Sequence, residues 1–431
     1  MKKVQEKKVS DFLTVRNDRF KPNEAESLGL KRIDKIDFSG NIYLSDKPTN
    51  TDMILARKGD LVISGINAAK GALAIYHGEE DVLATIHYSS YQFDEKKINI
   101  DYLQNFVKSP VFQHTLKQQV KGGMKTELKP KHILNLEIPL PSLAEQATIV
   151  QKIKGFMATH SQAKAQIEAL QTDLKAYRKS ILQEAIKGNL TTEWRANNPT
   201  EKIDLKTLKK ETTKKQKPLP PIKADEMPFT LPQNWSWVRL GEGLENIKYG
   251  TSKKCESNFG KTPVLRIPNI VSGKLNLDEL KYADFTEEEK KDISLNTGDL
   301  LLIRSNGSKS LVGKTCIYDN ESKDFLYAGY LIRLRPVHHF NSNYLQIVFQ
   351  TPFIRNQIEA PIRTTTGVHN INTTEIANLS IPLPPLTEQA EIVRVLEEKM
   401  ATIAAAEEQL KALLAEQSQL QKSMMQEVFR G

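Results

Sequence analysis

Residues 138–188 read IPLPSLAEQATIVQKIKGFMATHSQAKAQIEALQTDLKAYRKSILQEAIKG, and residues 381–431 read IPLPPLTEQAEIVRVLEEKMATIAAAEEQLKALLAEQSQLQKSMMQEVFRG. The copies match end to end with no residue inserted or lost, Ile138 answering to Ile381 and Gly188 to Gly431. Each carries an apolar seam that steps alternately by four and three residues. The first runs Ile149, Ile153, Phe156, His160, Ala163, Ile167, Leu170, Leu174, Tyr177, Ile181; the second runs Ile392, Leu396, Lys399, Ile403, Ala406, Leu410, Leu413, Gln417, Leu420, Met424. His160, Lys399 and Gln417 interrupt it. A 3.5-residue apolar period held this long predicts a coiled coil.

Helices over 143–187 and 386–430 would each measure roughly 65–70 Å. Pro139, Pro141, Pro382, Pro384 and Pro385 stop them from extending backwards. Ser142 with Glu145 fits a capping box, Thr387 is placed to cap the second helix, and Gly188 and Gly431 stand where a C-terminal glycine belongs. Two equal stripes in one chain predict antiparallel pairing. The alternative is that each helix packs on its own neighbouring domain.

The repeat extends beyond the helices. Gly59-Asp60-Leu61-Val62 recurs as Gly298-Asp299-Leu300-Leu301, and in the same register Asn67 meets Asn306, Lys70 meets Lys309, and Tyr88-x-x-Tyr91 meets Tyr327-x-x-Tyr330. Tyr102-Leu103 matches Tyr344-Leu345, Ser109-Pro110 matches Thr351-Pro352, and Arg32-Ile33-x-x-Ile36 echoes Arg266-Ile267-x-x-Ile270. The expected fold class is α+β: two homologous mixed domains and two long antiparallel coiled-coil helices in an internal pseudo-two-fold repeat. The boundaries read 1–142 for the first domain, 143–188 for the first helix, 189–230 for a linker, 231–385 for the second domain and 386–431 for the second helix. Within the domains, 60–63, 300–303 and 331–334 read as strands, 102–120 and 344–358 as short helices, and 286–291 as a solvated helix. The linker segment 201–223 holds eight lysines against three acids and ends in prolines, which reads as an exposed tether or a segment grazing phosphates.

The composition, 39% hydrophobic and 26% charged, describes a soluble globular chain, and a net charge of +9 favours a polyanionic partner. Cys255 and Cys316 imply no disulfide framework. No secretory leader or membrane span is read, and the expected compartment is the cytoplasm.

Catalytic signatures are missing. Ser308-x-x-x-x-Gly313-Lys314-Thr315 lacks the first glycine of a phosphate-binding loop and runs into a strand-like segment, whereas such a loop must open a helix. Glu288 and Lys290 behind Asp278 or Asp284 give only a faint nuclease-like cluster on a charged run. The histidines lack metal-ligand spacing. No methyl-transfer motif is found.

The loops after the Gly-Asp-Leu strands carry more. Arg304-Ser305-Asn306-Gly307-Ser308-Lys309 gathers a guanidinium, an amide, hydroxyls and an ammonium, groups that suit base edges and phosphates. The equivalent loop, with Ser64, Asn67 and Lys70, lacks the arginine, so two homologous readers would read different sequences. Lys248, Tyr249, Ser252, Lys253 and Lys254 add a basic, aromatic-flanked loop. Lys121, Lys125, Arg363 and Thr364 are further candidates, and the tyrosines Tyr88, Tyr91, Tyr327 and Tyr330 suit either core packing or DNA. A surface turn with incidental polarity is the bland reading of all these loops.

The order of domain, IPLP-x-Leu-x-Glu-Gln-Ala helix, domain and helix resembles the specificity subunit of type I restriction–modification enzymes. Leu190-Thr191-Thr192-Glu193-Trp194-Arg195 and Leu231-Pro232-x-x-Trp235-x-Trp237-Val238-x-Leu240-Gly241-Glu242 also resemble that family. The first domain departs from it in lacking the Leu-Pro-x-x-Trp opening. The resemblance implies two target-recognition domains, each reading half of a split double-stranded DNA target. The helices would set the spacing and dock two methyltransferase subunits. It implies no chemistry in this chain: S-adenosylmethionine, ATP and magnesium would sit on the methyltransferase and the restriction/translocase subunits. A duplicated chain independently offers two equivalent surfaces to two copies of a partner. The competing readings are a single-chain nuclease or methyltransferase with a duplicated recognition domain, and a coiled-coil adaptor without DNA preference.

Overall fold

A computed structural model describes residues 5–68, 72–120, 127–205, 208, 218–320, 325–360, 363–365 and 368–430, the side chains of 363–365 and 430 excepted. The chain forms two compact units, Met1–Ala169 with Gln409–Gly431, and Leu170–Glu408. Both are mixed helix and strand, and they share the order of a four-stranded sheet and a closing ribbon, while their second sheets hold five strands and three.

In the first unit a four-stranded antiparallel sheet runs in the order Leu13–Val15, Tyr88–Phe93, Leu61–Ser64, Leu73–Ile75. In the second the order is Leu244–Tyr249, Leu331–Pro336, Leu300–Ile303, Thr315–Ile317. Each unit adds a second sheet containing one parallel pair, Arg32–Ile36 beside Val82–Thr85 and Thr262–Leu265 beside Leu326–Tyr327. Each also closes a two-stranded ribbon, Glu6–Lys8 with Glu137–Pro139 and Ser236–Arg239 with Ser380–Leu383. Residues 61–63 and 300–303 are apolar at successive positions, and both strands are buried on both faces, as central strands between packed layers must be.

The Gly-Asp turn before these strands needs glycine. Gly59 and Gly298 hold φ of +87° and +92°, a left-handed conformation that side chains disfavour, and donate to the carbonyls of Tyr76 and Tyr318. The aspartate then accepts from a main-chain N–H three residues earlier, Arg57 to Asp60 at 2.9 Å and Asn296 to Asp299 at 2.8 Å.

The segments expected as single helices over 102–120 and 344–358 are each two. Ile100–Val107 ends before Ser109-Pro110, and Pro110–Gln119 starts there; Ser342–Gln350 and Pro352–Glu359 divide at Thr351-Pro352. Proline lacks the N–H that would continue a helix but suits a first turn, and Ser109 and Thr351 cap the new helix. The echo of Arg32–Ile36 in 266–270 is not structural: the former is a strand, the latter a short helix, Ile267–Ile270, that follows its strand.

The long helices run Leu143–Lys187 and Leu386–Arg430. Ser142 and Glu145 form the capping box, with Glu145 accepting from the Ser142 N–H at 2.9 Å. Thr387 does not cap: the helix begins at Leu386, and the Pro385 carbonyl takes the Gln389 N–H. Gly188 ends the first helix at φ +80°; Gly431 lies outside the described residues. The glutamine of Leu-x-Glu-Gln-Ala stitches helix to head twice. Gln146 takes the Asn99 N–H and donates to the carbonyls of Lys97 and Pro141, while Gln389 takes the Asn341 N–H and donates to those of His339 and Pro384.

Within each unit the helices meet antiparallel. In the first, His160 and Met157 face Gln417 and Gln421, and Phe429 packs edge-on to Tyr102 and Phe106 at 5.4 Å, in a core shared with Val150 and Ile153. In the second, Arg178 pairs with Glu407 at 3.0 Å, and Ile181, Leu182 and Ala185 share a core with Ile392, Leu396 and Ile403. The seam departs from expectation at matching places. Leu170 and Tyr177 are each 52% exposed, and Leu413 and Leu420 are 45% and 53% exposed. Gln171 and Arg178, and at matching places Leu414 and Gln421, are the half-buried positions instead. A straight α-helix drifts about 20° per heptad against a strict 3.5 repeat, and the contact line drifts with it.

Candidate nucleic-acid interface

The start of each Gly-Asp-Leu strand is fixed by a buried ion pair. Asp60 takes Arg16 in a two-point bridge at 2.7 and 2.9 Å, and Asp299 takes Arg335 at 2.8 and 2.7 Å. Both carboxylates are buried, so the fork geometry compensates a charge that would be costly alone. The sequence pattern marks the aspartates but not these partners, because Arg16 follows the strand Leu13–Val15 whereas Arg335 lies within Leu331–Pro336.

In the second unit the loop after this strand is not free. Ser305–Asn306 pairs with Val368–Asn370, which pairs in turn with Arg363–Thr365. The Arg304 loop and the Arg363-Thr364 segment, separate in sequence, thus share one small sheet; the side chains of Arg363 and Thr364 lie outside the description. Asn306 accepts the Ser308 N–H at 2.8 Å, and the Ser308 and Ser310 hydroxyls are 3.0 Å apart. Beside this sheet opens a cavity of about 930 Å³ lined by Tyr249, Lys253, Arg266, Lys281, Arg304 and Tyr330 among others. Four of these six side chains are cationic, an arrangement fitted to a polyanion.

The other lysines singled out from sequence already hold carboxylates. Lys248 pairs with Asp292, Lys253 with Glu289 at 2.8 Å, Lys254 with Glu256 at 2.8 Å, and Lys309 with Glu359 at 3.7 Å. The Lys253 ammonium also lies over the Phe285 ring. Exposed pairs of this kind contribute about 0–1 kcal/mol, so a phosphate can replace the acid at little cost. Ser252 is exposed beside them, and Ser305 half-buried.

The tyrosines need correction. Tyr91 and Tyr327 are fully buried core residues, their hydroxyl pKa values raised by burial, and neither can reach DNA in this fold. The two tyrosine pairs are not even counterparts. Tyr91 stands opposite Leu61 in its sheet, whereas Leu334 stands opposite Leu300 in the other. Tyr330 is exposed at the cavity rim, and Tyr88 is half-buried. Ser64 is also buried, in register with Tyr88, which withdraws it from any outer contact. Asn67 sits half-buried in the turn that follows. Lys70, Lys121 and Lys125 lie outside the described residues, as does most of the lysine-rich stretch between 206 and 217.

The described ends of that stretch are not a free tether. Arg239 donates to the carbonyls of Pro220 and Pro221 at 3.0 Å and forks onto Glu226, whose carboxyl it holds down to about 2. Leu208 is buried in the second unit's core.

Sequence reasoning missed a buried polar cluster in the second unit. Glu388, fully buried, accepts from Thr191 Oγ1 at 2.7 Å, Arg195 Nε at 2.9 Å, Trp235 Nε1 at 2.9 Å and Asn234 Nδ2 at 3.3 Å. The three segments Leu-Thr-Thr-Glu-Trp-Arg, Leu-Pro-x-x-Trp and Leu-x-Glu-Gln-Ala meet on one carboxylate. Four donors offset its desolvation, so the carboxylate serves as a structural clamp. Its counterpart Glu145 is exposed on the surface of the first unit. Among the described residues no His, Cys, Asp and Glu group could hold a metal ion, both cysteines are free, and no helix is long and apolar enough to cross a membrane. Burial pushes the Cys316 thiol up to about 12.

A family model described as "Type I restriction modification DNA specificity domain" matches residues 1–170 and 232–415. The chain is 30% identical over 338 residues to the EcoKI type I restriction enzyme specificity subunit of Escherichia coli (strain K12), covering 78% of this chain and 66% of that protein. It is 28% identical over 343 residues to the StySPI specificity subunit of Salmonella potsdam, with the same two shares. It thus spans just under two thirds of the length of these relatives. The crystal structure of the HsdS subunit from Thermoanaerobacter tengcongensis superposes with a TM-score of 0.60, covering 99% of this chain and 96% of that one at 17% identity. A chain from a study of complex assembly and conformational transition of the type I R-M system gives 0.70, covering 99% and 97%, also at 17%. At that identity the superpositions bear on fold alone.

Proposed function

For a chain that belongs to the type I restriction-modification DNA specificity family, we propose the role of the DNA-reading subunit of a type I restriction–modification enzyme. Each unit reads one half of a bipartite duplex target. The single observation that carries this is the doubled head with unlike side chains at equivalent places: the strand ending in Ile303 leads into Arg304, whereas the one ending in Ser64 leads into Gly65. One scaffold with two different reading surfaces suits recognition of two different short sequences.

The helices set the gap between the half-sites and dock methyltransferase subunits. The exposed pairs Leu170 with Tyr177 and Leu413 with Leu420 support docking, because each gives its unit a seven-residue-spaced apolar stripe at the same repeat position. The chain itself is non-catalytic, works in the cytoplasm, and leaves S-adenosylmethionine, ATP and magnesium to its methyltransferase and restriction partners.

Mapping methylated bases in the genome of a host that carries the complete system tests this. Two short specific blocks separated by an unread gap are expected. A continuous site would overturn the reading.

A further inference from the structure

Arg304 differs from the other buried or half-buried arginines of its unit. Arg195, Arg239, Arg335 and Arg355 all close their guanidinium edges on a carboxylate. Arg178, Arg266 and Arg333 share with Arg304 a buried Nε that has no partner, but their terminal nitrogens are bound, to Glu407, to the Glu279 carbonyl, and to the Ser294 carbonyl and Asn246. Among the described residues the Arg304 guanidinium has no hydrogen-bond or ion-pair partner at all. A cationic donor group left wholly unmatched calls for an explanation.

What Arg304 does have is a platform. Its guanidinium lies over the Tyr249 ring, 4.6 Å from the centroid. That contact occupies the face of the guanidinium, and its terminal nitrogens hold no partner among the described residues. The platform is itself held at both ends: Tyr249 pairs with Ile332 in the sheet, and its hydroxyl accepts the Thr373 N–H at 3.2 Å. The Arg304 backbone is pinned likewise, its N–H donating to Tyr330 at 2.9 Å and its carbonyl accepting from Ile371 at 3.0 Å.

We propose that Tyr249 and Arg304 form a preset guanine reader in the second unit: Arg304 contacts the base, and Tyr249 positions it. A guanidinium edge held in a fixed plane matches the O6 and N7 acceptors of guanine in the major groove. A phosphate would ask only for charge, which Lys253 and Lys281 already bring to the same cavity. The stack adds orientation, and orientation matters to a planar base edge. The first unit has Gly65 at the matching place, so the preference belongs to one half-site. This inference rests on the reading given under the preceding heading.

The test uses the complete complex of this chain with its methyltransferase subunits and a set of target duplexes, each carrying one substituted base pair. For the wild type, replacing one guanine in the second half-site should slow methylation roughly ten- to hundredfold. Arg304→Ala should flatten the preference at that base pair alone. Tyr249→Leu should flatten it too, although Tyr249 touches no base, while Tyr249→Phe keeps the ring and should hold the preference within about threefold. Unchanged discrimination in the first half-site serves as the folding control. An equal slowing on every duplex by Arg304→Ala would assign Arg304 to a phosphate and overturn the proposal. So would a Tyr249→Leu complex that still prefers guanine, or a second half-site that requires no guanine. In those cases the bipartite reading still stands; it fails separately if the wild-type complex recognises one continuous site.

Discussion

His160 Nε2 stands 3.0 Å from the main-chain carbonyl oxygen of Gln417, so two of the three polar interruptions of the apolar seams face each other within the first unit. The Gln417 side-chain oxygen there is buried without a partner. A polar contact inside an apolar helix pair fixes register at a cost in stability.

His160→Leu should therefore stabilise the first unit by roughly 1 kcal/mol, since burying leucine outweighs one modest hydrogen bond. Denaturant melts followed at first-unit amides would show it. A drop in stability would mean that the polar contact is itself a net support.

The two glutamates of the repeated Leu-x-Glu-Gln-Ala motif should respond very differently. Glu388→Ala strips a buried carboxylate from four donors and should cost about 3 kcal/mol in the second unit. Glu145→Ala removes half of an exposed capping box and should cost about 1 kcal/mol or less in the first. Hydrogen exchange resolved by unit checks both, and equal losses would contradict the asymmetry of the clamp.

Leu170→Glu together with Leu413→Glu should weaken capture of methyltransferase subunits by at least about tenfold, the loss expected when one leucine per site is no longer buried. The base preferences of the residual complex should stay as they were. Titration of the subunits against the variant settles the matter, and undiminished capture would place docking elsewhere.

Inserting four residues into both long helices lengthens each by about 6 Å. The preferred gap between half-sites should then grow by one or two base pairs, at about 3.4 Å per pair. Sequencing of methylated sites reads the gap directly. An unchanged gap would reject the helices as its determinant.

Much of this architecture was legible in the chain because helices and strands announce themselves by period, and a repeat doubles the signal. The long helices begin and end where the prolines, Ser142 and Gly188 put them. The seam became misleading once the 3.5-residue step parted from the true helical pitch: Leu170 and Tyr177 are apolar at the right spacing yet face outwards. Tyr88-x-x-Tyr91 and Tyr327-x-x-Tyr330 misled for another reason. The chain between the matching strands is longer in the second unit, so identical letters at a constant offset fall at different places: Tyr88 and Tyr91 on one strand, Tyr327 on the short strand Leu326–Tyr327 and Tyr330 in the turn after it. The Glu388 clamp was out of reach because its donors come from segments far apart in the chain. Of the candidate DNA contacts, the sequence marks Arg304 by type, but its Tyr249 support emerges only in three dimensions.

The paired aspartates carry a constraint on how such chains can be shuffled. Asp60 is matched by Arg16, which precedes it, and Asp299 by Arg335, which follows it. A crossover within a head would join halves that bring either two guanidinium groups to one carboxylate or none. The second hybrid buries an uncompensated anion and should fail to mature. Recombination that trades whole heads leaves every aspartate with its own arginine, so viable exchange is channelled toward complete heads.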